Sequence, residues 1–212
     1  MTLAIQNLSK SFRRKVVLDE VTATFPAGLT LLTGPSGAGK STLLRIIATA
    51  DKPSKGTVLW QDTPLPAGRK ALRSVLGYSP QAVDLPEDLT GREFGMHLAA
   101  LKGLERKAAE AQFAAITERL DLYKDLDNQI LSYSGGMRRR LIVSQALLGE
   151  PQVICMDEPT AELDSESIAR IHEIVLERAK SAVVIMTTHL AEELAPHAVQ
   201  NLRVSDGGAA RV

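Results

Sequence analysis

Gly34-Pro35-Ser36-Gly37-Ala38-Gly39-Lys40-Ser41-Thr42 is the stretch on which the reading of this chain turns. Its first eight residues fit G-x-x-x-x-G-K-[ST]. The apolar strand-like run Leu29-Thr30-Leu31-Leu32-Thr33 precedes it, and a helical run beginning Ser41-Thr42-Leu43-Leu44 follows. Strand, glycine-rich loop and helix in that order are the setting in which this spacing cradles phosphate. Glycines let backbone N–H groups converge on phosphate oxygens with no Cβ in the way. The helix start adds the positive end of its dipole. In such a loop Lys40 reaches the β- and γ-phosphates of a nucleoside triphosphate, and the Ser41 hydroxyl is a ligand for Mg²⁺. The candidate nucleotide-binding residues here are therefore Gly34, Pro35, Ser36, Gly37, Ala38, Gly39, Lys40, Ser41 and Thr42.

A second chemical element lies far along the chain. The apolar run Val153-Ile154-Cys155-Met156 ends in Asp157-Glu158. Carboxylates directly after a buried strand sit at the carboxyl edge of an α/β sheet, where such proteins bind ligands. Asp157 suits a Mg²⁺ site, through water, and Glu158 suits polarisation of an attacking water.

The rest of the chain places these elements. The segments 3–12 and 56–65 alternate apolar and polar residues, as strands do. In the middle third, Thr90 and Glu93 have capping-box spacing, and Phe94, Leu98 and Leu101 are spaced to share one helix face. Phe113, Ile116 and Leu120 mark a second helix. A third runs from about Gly135 to Leu148, with Ser134 as N-cap and Gly149 and Pro151 as stop signals. In the last third, the apolar runs 153–156 and 182–186 suit strands of a parallel sheet covered on both faces. Between them Asp164 can cap a helix carrying Ile168, Ile171 and Val175 on one face. The pattern predicts an α/β core, residues 1–83 and 151–212, with a helical insertion at 84–150.

Bulk properties agree with a single such domain. The chain has 212 residues, 44% of them hydrophobic, with 25 basic and 25 acidic residues. A net charge of zero gives no overall field favouring nucleic acid or an anionic membrane, so no nucleic-acid partner is expected. Cys155 is the single cysteine, which excludes an intramolecular disulfide and fits a reducing compartment. No apolar run approaches the roughly 18 residues that suggest a membrane span, and the polar start of the chain does not read as a signal peptide.

Taken in order, GPSGAGKST, Gln81 in GYSPQ, Tyr133-Ser134-Gly135-Gly136-Met137, VICMDEP, Ala161-Glu162-Leu163-Asp164 and Thr188-His189 resemble the nucleotide-binding domain of ABC ATPases. The resemblance covers essentially the whole chain. It implies a P-loop core with a mixed or parallel sheet, an N-terminal antiparallel β subdomain and an inserted helical subdomain. It implies that Gln81 is a ligand of Mg²⁺ and water, that His189 bonds the γ-phosphate, and that Phe12 stacks on adenine. It also implies that Ser134, Gly135, Gly136 and Asp164 serve ATP held at an interface between two such subunits. The chemistry of that interface is sound, because a serine and glycine amides at a helix start form a second anion site. The implied partners are a second nucleotide-binding subunit, identical or not, and a separate membrane permease. The implied location is cytoplasmic, peripheral on the inner face of the membrane.

Three departures from the family pattern stand out. Tyr133 and Met137 replace the usual first and last residues of LSGGQ, a form familiar in exporter-type members. Glu162 stands where a small residue is commoner. Arg138, Arg139 and Arg140 occupy the first helical turn, where cations oppose the dipole; they read either as a solvated basic face or as added attraction for an anion. Two other functions stay open on the sequence: a soluble ABC ATPase of the iron–sulfur assembly type, and a nucleotide sensor without turnover. Retention of Glu158 and His189 argues against the sensor.

Overall fold

The computed structural model describes residues 2–13, 15–82 and 84–211. Strands β1 (Leu3–Phe12) and β2 (Lys15–Phe25) form an antiparallel pair, and β3 (Gly28–Thr33) leads into the glycine-rich loop and helix α1 (Lys40–Ile47). Strand β4 (Lys55–Trp60) returns beside β1, followed by β5 (Thr63–Pro64), α2 (Arg69–Ser74) and β6 (Leu76–Ser79). Helices α3 (Gly91–Leu101), α4 (Arg106–Arg119) and α5 (Gly135–Leu147) come next. The chain closes with β7 (Val153–Asp157), α6 (Ser165–Ala179), β8 (Val183–Thr187), α7 (Ala191–Leu194), β9 (Gln200–Ser205) and β10 (Gly208–Arg211).

Two sheets result. One is antiparallel with order β2-β1-β4-β5. The other has order β10-β9-β3-β8-β7-β6; its pairs are parallel except that β10 runs antiparallel at the edge. The expected α/β core with a mixed sheet, an antiparallel β portion and added helices is the architecture found.

Strand alternation explains why the central sheet is buried on both sides. Successive side chains point to opposite faces. Val153, Cys155, Val183 and Ile185 pack with Leu43, Leu44 and Ile47 of α1 and with Leu3, Ile5 and Phe25 of the antiparallel sheet. Their neighbours Ile154, Met156, Val184 and Met186 pack on the other face with Ile171, Ile174 and Val175 of α6 and Val143 and Leu147 of α5. Every residue of β7 and β8 is buried, as the unbroken apolar runs require. Burial also pushes the Cys155 thiol far up from its usual range, so it is protonated and inert.

The helical stretch holds a third cluster, built around Phe113, Leu126, Ile130, Leu141 and Ile142. Val83, the end of the expected first core segment, lies outside the described residues, as do residues 1 and 212. Helix α5 serves two clusters at once. Leu141 and Ile142 face the helical cluster, while Val143 and Leu147 face the central sheet.

Helix α3 has the capping box expected from Thr90 and Glu93. Of the expected Phe94, Leu98 and Leu101, Phe94 packs half-buried on the helical cluster and Leu98 is half-buried, while the fully buried stripe lies beside them. Gly91, Gly95 and Ala99 are buried, and Leu101 is 71% exposed. The reason is the Phe113 ring of α4. A methyl at Gly95 would lie 2.3 Å from Phe113 Cε1, so only a bare backbone lets α3 lie against that ring. An exposed helical glycine replaced by alanine gains up to about 1 kcal/mol, whereas overpacking a core costs about 1–3 kcal/mol. Gly95→Ala should therefore lower stability and Gly95→Val should lower it further, read as a fall in the urea midpoint. An unchanged midpoint would mean that the Phe113 ring can swing aside at no cost.

Candidate functional site

The glycine-rich loop leaves β3 at the carboxyl edge of the sheet. Gly34 has φ +131°, and a Cβ there would come 2.0 Å from the Val204 carbonyl of β9, so no other residue fits. The chain then turns through Gly37 and Gly39, both at positive φ, into α1. Gly39 is the N-cap of α1 and supplies no side-chain cap. The first N–H groups of a helix have no intrahelical partner. At Lys40, Ser41 and Thr42 they therefore form an outward-facing set of donors at the positive end of the helix. The Lys40 Nζ folds back to donate to the carbonyls of Gly34 at 2.8 Å and Pro35 at 3.0 Å, which holds the ammonium over the loop.

Beneath the loop lies Asp157, only 2% exposed at the end of β7. Its Oδ1 accepts from Ser41 Oγ at 3.0 Å and from Thr187 Oγ1 at 2.7 Å. Thr187, the last residue of β8, also accepts from the Glu158 N–H at 2.9 Å. One hydroxyl thus fixes two consecutive acidic residues. Glu158 sits at φ +49°, a left-handed conformation that costs a residue with a Cβ roughly 1–2 kcal/mol. That turn redirects its side chain from the strand axis. The carboxylate accepts from the His189 N–H at 3.1 Å through Oε2, and its Oε1 lies 3.5 Å from His189 Nε2. Nearby, burial, reinforced by the charge of Asp157, pushes the Tyr78 hydroxyl up to about 12, so it stays neutral beside the site.

These groups line one cleft of about 320 Å³, walled by Ser36, Gly37, Gly39, Lys40, Ser41, Thr42, Gln81, Glu158 and His189 together with Val17. The structure brings Gln81 and His189 to the same opening as the loop although 108 residues separate them. Gly34, Pro35 and Ala38 belong to the loop without walling the cleft, and Asp157 lies below it.

The other candidates lie elsewhere. Phe12 ends β1, 49% exposed, with Lys10 Nζ 4.8 Å from its ring centre, and it does not wall the cleft. Ser134 caps α5 by accepting from the Met137 N–H at 3.2 Å, with Gly135 and Gly136 in the first turn. A methyl at Gly136 would lie 3.3 Å from Leu163 Cδ2, so this turn neighbours the 161–164 loop. Asp164 caps α6 by accepting from the Ser167 N–H at 2.8 Å, and that bond holds its carboxyl below the usual range. None of these four residues walls the cleft.

The three arginines do not form a simple solvated face. Arg138 bonds the carbonyls of Tyr133 and Leu131 and pairs with Glu87; Arg139 bonds the Pro80 carbonyl; Arg140 bonds the carbonyls of Leu120 and Asp121. They tie backbone segments together, a use that local sequence does not disclose. Thr187 and Val17 were also missed. Thr187 carries a sequence signal in hindsight, since it ends an apolar strand next to the strand that carries the carboxylates.

A cation with oxygen preference fits this donor set. Ser41 Oγ and Asp157 Oδ1 are hard oxygens side by side at the loop, suited to the few protein ligands that magnesium takes alongside water and phosphate. Among the described residues no group of three or more His, Cys, Asp or Glu forms a dedicated metal cage, and magnesium on a triphosphate does not need one.

Removing the Thr187 hydroxyl while keeping its shape tests the support beneath the acidic pair. Thr187→Val should cost on the order of 1–3 kcal/mol, because a buried carboxylate loses a donor. Thr187→Ser should recover most of the loss. Urea unfolding of the two variants decides; equal stability for Thr187→Val and the parent would remove Thr187 from its assigned place.

Comparison with known proteins agrees with this geometry. The family model described as ABC transporter matches residues 18–161. A Nod factor export ATP-binding protein I from Sinorhizobium fredii is 33% identical over 199 residues, covering 91% of this chain and 57% of its own length. The protein of the same name from Cupriavidus metallidurans is 33% identical, covering 97% and 68%. The chain thus spans little more than half the length of several such relatives. A solved ATP-binding subunit of an ABC transporter superposes with a TM-score of 0.90 at 26% identity, covering 100% of this chain and 90% of that one. A dimeric bacterial ABC transporter cassette gives 0.89 at 23% identity, which speaks to the fold alone. With its phosphate loop, acidic strand end and fold all in agreement, the chain belongs to the ABC transporter ATP-binding family.

Proposed function

We propose that this chain binds MgATP in the cleft above Asp157, hydrolyses it, and powers transport by a separate membrane permease. The observation that carries the reading is a single alignment. The Glu158 carboxylate, fixed by the His189 N–H, opens onto the same cleft as the Lys40 ammonium and the amide-lined start of α1.

The roles follow from position. The N–H groups at Lys40, Ser41 and Thr42, with the Lys40 ammonium, hold the β- and γ-phosphates of ATP. Ser41 and Asp157 hold the magnesium ion, with Gln81 at the rim. When bound, the ion supplies charge neutralisation on the phosphate oxygens. Glu158 orients and deprotonates the attacking water, and His189 donates to the γ-phosphate as charge develops. Phe12 stacks on the adenine face; its exposed ring at the end of β1 supports this.

The positions of Ser134, Gly135, Gly136 and Asp164 outside the cleft support an intermolecular role. A second nucleotide-binding subunit, the same chain or a related one, brings those residues to the ATP held here. Two bodies then follow: the nucleotide-binding core, 1–83 with 151–212, and the helical arm, 84–150. A separate cluster in the arm supports that division. Among the described residues no helix is long and apolar enough to cross a membrane. In this reading the chain attaches through the permease, at the cytoplasmic face.

Glu158→Gln keeps the shape of the side chain and removes its basicity. It should lower kcat by roughly 10²–10⁴-fold while leaving nucleotide affinity nearly unchanged, and it should trap a dimer on size exclusion with saturating MgATP. A chain that remains monomeric under those conditions, or a variant with full ATPase activity, contradicts the reading.

A further inference from the structure

We propose that Arg139 is a positioning residue that couples the Gln81 side of the cleft to the first turn of α5, where Ser134, Gly135 and Gly136 lie. The inference rests on the function proposed above and deepens it. It names the tie through which occupancy of one nucleotide site would set the geometry offered to the second subunit.

The connection is physical and short. Strand β6 lies against α5 in near-backbone contact, since a Cβ at Gly77 would meet the Ala146 carbonyl at 1.8 Å. One residue on, the Tyr78 carbonyl accepts from Gln145 Nε2 at 2.6 Å. Two residues further, the Pro80 carbonyl accepts from Arg139 Nη1 at 3.2 Å. The next residue is Gln81, which walls the cleft. So β6 is fastened to α5 along its length, and the last fastening before Gln81 is the guanidinium of Arg139.

The partners of Arg139 set it apart from its neighbours. Arg138 pairs with Glu87 and Arg140 lies near Asp121, yet among the described residues no carboxylate pairs with Arg139. Its one hydrogen bond among them is to the Pro80 carbonyl. Arg139 is half-buried in the second turn of α5, one turn on from Gly135 and Gly136. A bare structural brace could be made by a neutral donor. A cation there binds the Pro80 carbonyl more strongly than a neutral donor would. Movement of Gln81 toward bound phosphate and magnesium pulls on Pro80, and Arg139 passes that displacement to the start of α5.

The test uses the full chain carrying Glu158→Gln, so that dimer formation is read without turnover. Arg139→Met keeps the apolar stem packed and removes the donor and charge; Arg139→Lys keeps a cation. The ATP concentration for half-maximal dimerisation should rise about tenfold in Arg139→Met, the scale of one charged hydrogen bond, and fall most of the way back in Arg139→Lys. Affinity of the monomer for mant-ADP, which probes the phosphate loop alone, should stay within about twofold. In a Gln81→Ala background the Arg139→Met shift should largely vanish. An unmoved midpoint in Arg139→Met, or a shift that persists in full without Gln81, overturns the coupling. If the chain with Arg139 intact does not dimerise with MgATP, the proposed function fails and the coupling fails with it. If that chain dimerises and Arg139→Met matches it, only the coupling fails.

Discussion

A loop that turns its amide N–H groups outward cannot use them to hold itself in place, and this constraint organises the rest of the molecule. The 34–42 loop is therefore held from below and behind. Gly34 rests against the Val204 carbonyl, Lys40 closes on the carbonyls of Gly34 and Pro35, and Ser41 reaches Asp157. Asp157 is held in turn by Thr187, so the loop is pinned to the ends of three strands, β9, β7 and β8. The donors stay free for a ligand because other groups carry the structural load.

That arrangement demands a rigid sheet. Burial on both faces supplies it, with α1 and the antiparallel sheet on one side and α5 and α6 on the other. The strained backbone at Glu158 persists for the same reason: the Thr187 hydroxyl and carbonyl hold its N–H while β7 and β8 fix the strand ends. The helical arm is joined differently. Helix α5 and the end of α4 (Ile116 and Leu120) pack in both the helical cluster and the central core, while α3 packs on α4 and α5.

Much of this was legible in the sequence where local rules and function coincide. The phosphate loop, the buried strands from the apolar runs 153–156 and 182–186, and the caps Thr90, Ser134 and Asp164 were all legible in spacing, because each is set by contacts within a few residues. The position of Gln81 and His189 at one cleft was expected through family resemblance, since nothing local distinguishes either residue. What the sequence hid was long-range. The α3 face followed the fit of Gly95 to Phe113, 18 residues away, against a plausible apolar stripe. The three arginines bond carbonyls on other elements, and a carbonyl leaves no trace in residue identity. Strands β9 and β10 were also unread, because β10 is only four residues long and half exposed.

The central claim is that the amides at the start of α1 hold a triphosphate above Asp157. Backbone amide shifts of the ¹⁵N-labelled chain, titrated with a magnesium complex of a non-hydrolysable ATP analogue and separately with AMP, test it directly. The account predicts large, saturable shifts at Gly37 to Thr42 and at Glu158 with the triphosphate, and little change at these positions with AMP. Shifts of equal size with AMP, or shifts clustered away from the loop, would contradict it.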